Sequence, residues 1–297
     1  MSSQSCRVLA CVLLVLAVPA LAHAQIPPAT AAPPSAQAAP PSQSDLDRDI
    51  VASESDFVIV ALPSTLPLER GKFAFRMTHR FAYAINKGLP NDNDSLGQQF
   101  LKNFFGFDSI PAVGLEFRMG IAPGTQFAVH RINDRTLEML GQQRLVKQKS
   151  RKGFSIDAIG AVEGRQNFTD DFGYALGAVV SHRITSHGTF YFEPIGVFNS
   201  NPDPLATSDN TFLIGLGARV RLGKSRVSLV AEGAPRAGGF GPGPAQVSFG
   251  IEDRIGGHVF QLNFSNGFST SLRQLASARP PDGVQNWHIG FNLTRKF

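Results

Sequence analysis

The chain has 297 residues, with 28 Lys and Arg against 23 Asp and Glu, a formal charge of +5. Its two cysteines, Cys6 and Cys11, lie at the extreme N-terminus, so the remainder excludes disulfides, thiolate catalysis and cysteine-held metals. The arginines fall on alternate strand positions and not in one basic helix or tail, so nucleic acid is not an expected partner.

Arg7, an apolar run from Val8 to Leu21 and the small-residue cut Ala22-His23-Ala24 read as a secretory signal peptide over 1–24. Residues 25–44 are rich in Pro and Ala and cannot bury a core, which predicts a disordered linker. Residues 45–70 form a periplasmic or plug segment. Within it Phe57-Val58-Ile59-Val60-Ala61-Leu62, closed by Pro63, is an extra strand or a piece that plugs or collars the fold. No later stretch offers the run of about 18 apolar residues that marks a spanning helix, but a spanning strand needs only about 9–11.

From Gly71 to Phe297, twelve segments alternate apolar and polar residues: 71–83, 112–122, 125–132, 135–147, 153–163, 172–184, 188–198, 211–222, 225–234, 245–255, 258–267 and 286–297. Phe73, Phe75, Met77 and Phe81 share one face of the first segment. Val113, Leu115, Phe117, Met119 and Ile121 share one in the second. Most connections alternate between long links and short turns such as Pro123-Gly124, Gly223-Lys224 and Gly256-Gly257. An even strand number with loops sorted in this way predicts a closed, all-β, up-and-down antiparallel transmembrane β-barrel of about 12 strands over 71–297. A two-residue Gly256-Gly257 turn predicts that Asp253 faces Phe260, Ile251 faces Leu262 and Phe249 faces Phe264. Asp253 and Arg295 are the polar misfits on the apolar face. Residues 95–106 carry apolar side chains at helical spacing and read as a loop helix packed at the barrel mouth.

His79-Arg80-Phe81, Asn103-Phe104-Phe105-Gly106-Phe107-Asp108, Glu193-Pro194 and Gly257-His258-Val259-Phe260-Gln261-Leu262-Asn263-Phe264 occur in that order. In these motifs the chain resembles an uncharacterised bacterial domain-of-unknown-function family of predicted outer-membrane β-barrels, over roughly 70–297. The resemblance implies a membrane barrel and carries no catalytic residue with it. The closing Phe297 also looks like the terminal signal that such barrels present to their assembly machinery.

No histidine pair has metal-ligand spacing, and there is no nucleophile elbow; adjacent Ser181 and His182 point to opposite faces of a strand. No catalytic residue, metal or cofactor is expected. The inferred inner face carries the charges: Lys72, Arg76, Arg80, Glu116, Arg118, Asp157, Glu163, Arg183, Glu193, Arg219, Arg221, Glu232, Glu252 and Arg254. These residues line a pore, or they pair off and fill the interior. The expectation is an exported bacterial outer-membrane barrel, not an enzyme, that acts as a passive channel for small polar solutes. The alternatives are a closed barrel with a structural or binding role and, behind it, a lipid-acting enzyme. The expected partners are outer-membrane lipid, the barrel-assembly machinery through the last strand, and small solutes.

Overall fold

The fold is described from a computed structural model, over residues 53–81, 84–85, 111–150, 152–185, 187–201, 208–241, 243–277 and 287–297. The expected signal peptide, linker and loop helix lie outside these residues, as does the Asn103–Asp108 motif.

The strands are β1 (Phe73–Phe81), β2 (Pro111–Ala122), β3 (Thr125–Ile132), β4 (Leu137–Val146), β5 (Ser155–Arg165) and β6 (Asp170–Thr185). They continue with β7 (Gly188–Phe198), β8 (Thr211–Arg221), β9 (Val227–Gly233), β10 (Arg236–Gly239), β11 (Val247–Ile255), β12 (His258–Ser265) and β13 (His288–Lys296). Every neighbour pair is antiparallel. The β1–β13 and β8–β9 pairings complete the ring, so no spanning strand is left with a bare edge.

Twelve of these strands are the twelve segments with alternating sequence; β10 is the addition. Its register continues that of β9 on β8: Leu216 faces Gly233, and Leu213 faces Arg236. Between them stands Pro235, which has no N–H to give the ladder, although its carbonyl still accepts from Ile214 N–H (2.9 Å). β9 and β10 are therefore one strand interrupted by a proline. The β11–β12 hairpin has the register that its turn predicts: Asp253–Phe260, Ile251–Leu262 and Phe249–Phe264. Gly256 adopts φ 59°, the left-handed conformation that this turn requires.

The outer wall is apolar. Phe73, Phe75, Leu115, Phe117, Met119, Phe249, Ile251 and Phe260 all point outwards and are exposed. Such a continuous apolar surface suits lipid as its solvent. Both misfits on this wall have partners near the short-turn end. The Arg226 guanidinium meets Asp253 at 2.8 Å. Arg295 lies 2.5 Å from the His258 Nε2 atom, and its guanidinium sits over the Phe297 ring at 4.9 Å. Phe297 stacks on Phe73 (4.6 Å between centroids), and at the long-loop end Trp287 packs on Phe249 (5.2 Å).

The interior is filled from both ends. Residues 53–66 are buried inside the ring. They form a narrow hairpin in which Ile59 N–H donates to the Leu62 carbonyl and Ser64 N–H to the Phe57 carbonyl, both at 2.8 Å. From the opposite end the β12–β13 connection folds inward, carrying the short helix α1 (Leu272–Ser277) with Leu272, Leu275 and Ala276 buried.

Candidate functional site: the occupied lumen

The two halves of the inner wall differ in chemistry, and the hairpin uses each differently. On β4 to β9 the inward positions hold Leu140, Ile159, Val179, Ile195, Leu213 and Val230, which form one apolar cluster with Ile59, Val60, Ala61 and Leu62. Two of the inward positions on β8 are glycines. A Cβ on Gly217 would lie 2.2 Å from Ile59 Cδ1, and one on Gly215 would lie 3.0 Å from Leu62 Cδ1. The missing side chains make room for the hairpin's own.

Polar side chains bind its main chain. Glu232 on β9 accepts from three consecutive N–H groups, those of Val60 (2.9 Å), Ala61 (3.0 Å) and Leu62 (3.0 Å). The carbonyls are met in turn by Arg219 at Val58 (2.7 Å), by Gln261 at Ile59 (2.6 Å), and by Asn292 (2.9 Å) and Arg80 (3.3 Å) at Val60. On the returning limb Gln142 donates to the Ser64 carbonyl (2.8 Å), Gln126 to the Leu66 carbonyl (3.1 Å), and Arg144 to the Thr65 carbonyl. A buried peptide group without a partner is costly, and here the barrel supplies the partners that water would otherwise provide.

The hairpin's side chains are held too. Glu54 accepts from Thr65 Oγ1 (2.6 Å) and from the Tyr191 hydroxyl (3.0 Å), while Thr65 also meets Ser181 at 2.5 Å. Asp56 accepts from Thr294 (2.9 Å), and Ser55 donates to Glu252. Burial pushes both the Glu54 and Asp56 carboxyls above their usual range. For Glu54 the Thr65 hydrogen bond and the Arg144 charge oppose that shift, and for Asp56 the Lys296 charge does.

Of the fourteen charged residues expected on the inner face, eleven are buried inside the ring: Arg76, Arg80, Glu116, Arg118, Asp157, Glu163, Arg183, Glu193, Arg219, Glu232 and Glu252. Arg221 and Arg254 are half-buried near the short turns, and Lys72 is exposed just before β1. Many of these charges are paired. Glu116 lies between Arg76 and Arg118 (2.9 Å to the latter), Arg144 meets Asp157, and Arg219 meets Glu252 (3.2 Å). Charges alone identify only part of the site. Gln126, Gln142, Gln261 and Asn292 occupy inward positions of the same strand alternation, and that parity is the signal by which sequence could have found them.

The second insert has its own anchors. Leu272 N–H donates to Glu138 (3.0 Å), and Ser271 donates to Glu163. Arg273 reaches the Asp171 carboxylate (2.5 Å), the Asp171 carbonyl (2.6 Å) and the Asn199 carbonyl (2.8 Å). Between the two inserts lies a cavity of about 20 Å³, lined by Val58, Ala61, Arg76, Glu116, His130 and Leu272 among others. That is room for about one water molecule and not for a solute path.

In each of the pairs His79-Arg80, His130-Arg131 and His182-Arg183 one residue points inward; in the middle pair it is the histidine. His130 is fully buried against the cavity. Among the described residues no group of three or more His, Cys, Asp or Glu has the geometry to hold a metal ion. Ser181 bonds to the hairpin on the inner face. His182 Nδ1 contacts the Gly153 carbonyl (2.8 Å) from the outer face, so the two form no dyad.

A family model described as "Membrane bound beta barrel domain (DUF5777)" matches residues 55–297, which include most of the hairpin. No curated protein matches. Among solved structures, the NanC porin matches at 6% identity with TM-score 0.47, over 76% of this chain and 100% of that one. Outer membrane phospholipase A from Escherichia coli matches at 12% identity with TM-score 0.42, over 78% and 91%. An Rh. blastica porin mutant matches at 10% identity with TM-score 0.32, over 63% and 55%.

Proposed function

We propose, for a chain that belongs to the DUF5777 family of membrane bound beta barrel domains, that it is an outer-membrane barrel whose lumen is closed by its own N-terminal hairpin. Small polar solutes pass only when that hairpin leaves. The observation carrying this reading is the set of lumen partners along the hairpin main chain, at the carbonyls of Val58, Ile59 and Val60 and the N–H groups of Val60, Ala61 and Leu62. A wall built only to line an open pore has no reason to match the peptide groups of one segment. The apolar half of the inner wall supports the same reading, since an open lumen would expose it to water.

The reading includes export by a signal peptide over 1–24 and a disordered linker over 25–44 that leads to the hairpin. It also includes assembly through the last strand, which ends in Phe297. It contains no catalytic step and no cofactor. The test is conductance in planar bilayers, comparing the full chain with one that lacks residues 25–68 and carries Arg273→Ala, which also frees the second insert. A silent full chain and a conducting truncated one are expected. A truncated barrel that folds and stays silent would exclude passage and favour the second reading, a permanently filled barrel. That alternative is favoured by the separate insert carrying α1, which closes the other end.

A further inference from the structure

The two rims of the barrel carry different charge. At the short-turn end Arg70, Lys72, Lys149, Lys152, Lys224 and Arg226 are all exposed. Among the described residues there, Glu69 is the exposed carboxylate, and Asp253 is half-buried and already paired with Arg226. At the long-loop end the exposed charges among the described residues are Asp134, Asp170 and Asp209 against Arg135 and Arg165. Among the described residues, one rim is strongly basic and the other close to balanced.

We propose that the basic short-turn rim is a docking ring for anionic phospholipid headgroups in the leaflet that faces it. The position of the cations relative to the apolar wall selects a lipid over a soluble polyanion. Lys72 directly precedes the exposed Phe73, and Lys224 follows the exposed Leu222 by two residues. Arg295 stands on the wall itself, over the Phe297 ring. Cations on the flank of the barrel, one or two residues from side chains immersed in acyl chains, lie at headgroup depth. Long basic side chains there keep their stems on the apolar surface and their charge at the phosphate. A basic cluster beside a membrane-spanning segment draws anionic lipid to it, and the attraction is screened by salt. Arg295 on the greasy face thereby acquires a role.

The test uses the full chain, purified in mixed micelles holding equal amounts of phosphatidylglycerol and phosphatidylcholine of matched chains, with retained lipid counted by native mass spectrometry. The expected result is phosphatidylglycerol favoured by about fivefold or more, falling on addition of salt. Lys149→Gln, Lys152→Gln and Lys224→Gln together change only exposed turn residues and are expected to bring the ratio towards one. Arg135→Gln with Arg165→Gln at the opposite rim should leave it unchanged. A ratio near one in the unaltered chain, or a ratio that survives the lysine replacements, overturns the proposal. So does displacement of the lipid by polyglutamate, which would point to a soluble acidic partner. The readout does not involve the lumen, so it stands or falls apart from the closure by the hairpin.

Discussion

Glu232 is the residue on which the hairpin turns. Its carboxylate gathers three N–H groups that point towards it from the apex. A hydrogen bond to a charged acceptor contributes about 1.5–3 kcal/mol, and a buried donor left alone costs a similar amount. Glu232→Ala is therefore expected to weaken insertion of the hairpin by about 2 kcal/mol or more. A chain expressed from Gln25 has no cysteine, so Val60→Cys, at a fully buried position, makes a single reporter. Its labelling by a water-soluble thiol reagent should quicken at least about tenfold when Glu232→Ala is added. Gly217 tests the apolar side of the same contact. Its Cβ position is 2.2 Å from Ile59 Cδ1, so Gly217→Val must push at least the Ile59 side chain out of its place on β8. Overpacking of this kind costs about 1–3 kcal/mol. The same reporter should label faster, while the far-ultraviolet circular dichroism of the folded barrel is unchanged. An unchanged rate in both variants would mean that the apex is held elsewhere.

The hairpin as an element carries two buried carboxyls, Glu54 and Asp56, and burial raises the pKa of both. A carboxyl that binds its proton more tightly in the inserted state than in water favours insertion at low pH. That contribution is whole below the ordinary carboxyl range and is lost as pH rises through the raised values. Thiol labelling of Val60→Cys should thus speed up with pH beyond the reagent's own dependence. Glu54→Gln with Asp56→Asn should flatten the excess. A labelling excess that grows on acidification would contradict it. The hairpin also marks where sequence reading stops. The strands were legible because a period of two puts Phe73, Phe75 and Met77 on one face and Arg76 and Arg80 on the other, whatever lies further along the chain. The Gly256-Gly257 turn then fixed a register that the structure repeats. Residues 57–62 have no such period. Their place depends on Glu232, Gln261 and Asn292, some 170 to 232 residues away in the chain, and no local pattern encodes those partners. The site itself was half legible. The inward charges followed from alternation, but three of them, Arg80, Arg219 and Glu232, bind main chain, which has no sequence signature.

For the molecule as a whole, two inserts fill one lumen, and a cavity of about 20 Å³ is lined by both. A solute crossing the barrel must pass both, so the chance of an open path is the product of two openings and not their sum. The hairpin hangs chiefly on Glu232. The second insert hangs on Arg273, whose guanidinium ties α1 to the Asp171 carboxylate and to the Asn199 carbonyl. Releasing one insert leaves the other in place: with Glu232→Ala alone, Leu272, Leu275 and Ala276 still fill the long-loop end. With Arg273→Ala alone, Ile59 and Leu62 still pack on β8. Each single variant is expected to raise bilayer conductance little, and the double variant to raise it by more than the two increments added together. A single variant that conducts as well as the double would show that its insert is the whole barrier. Conductance that stays at the baseline in the double variant, with the Val60→Cys reporter labelling freely, would instead mean that the hairpin leaves without opening a path. The barrel would then be a holder for its own chain and not a conduit.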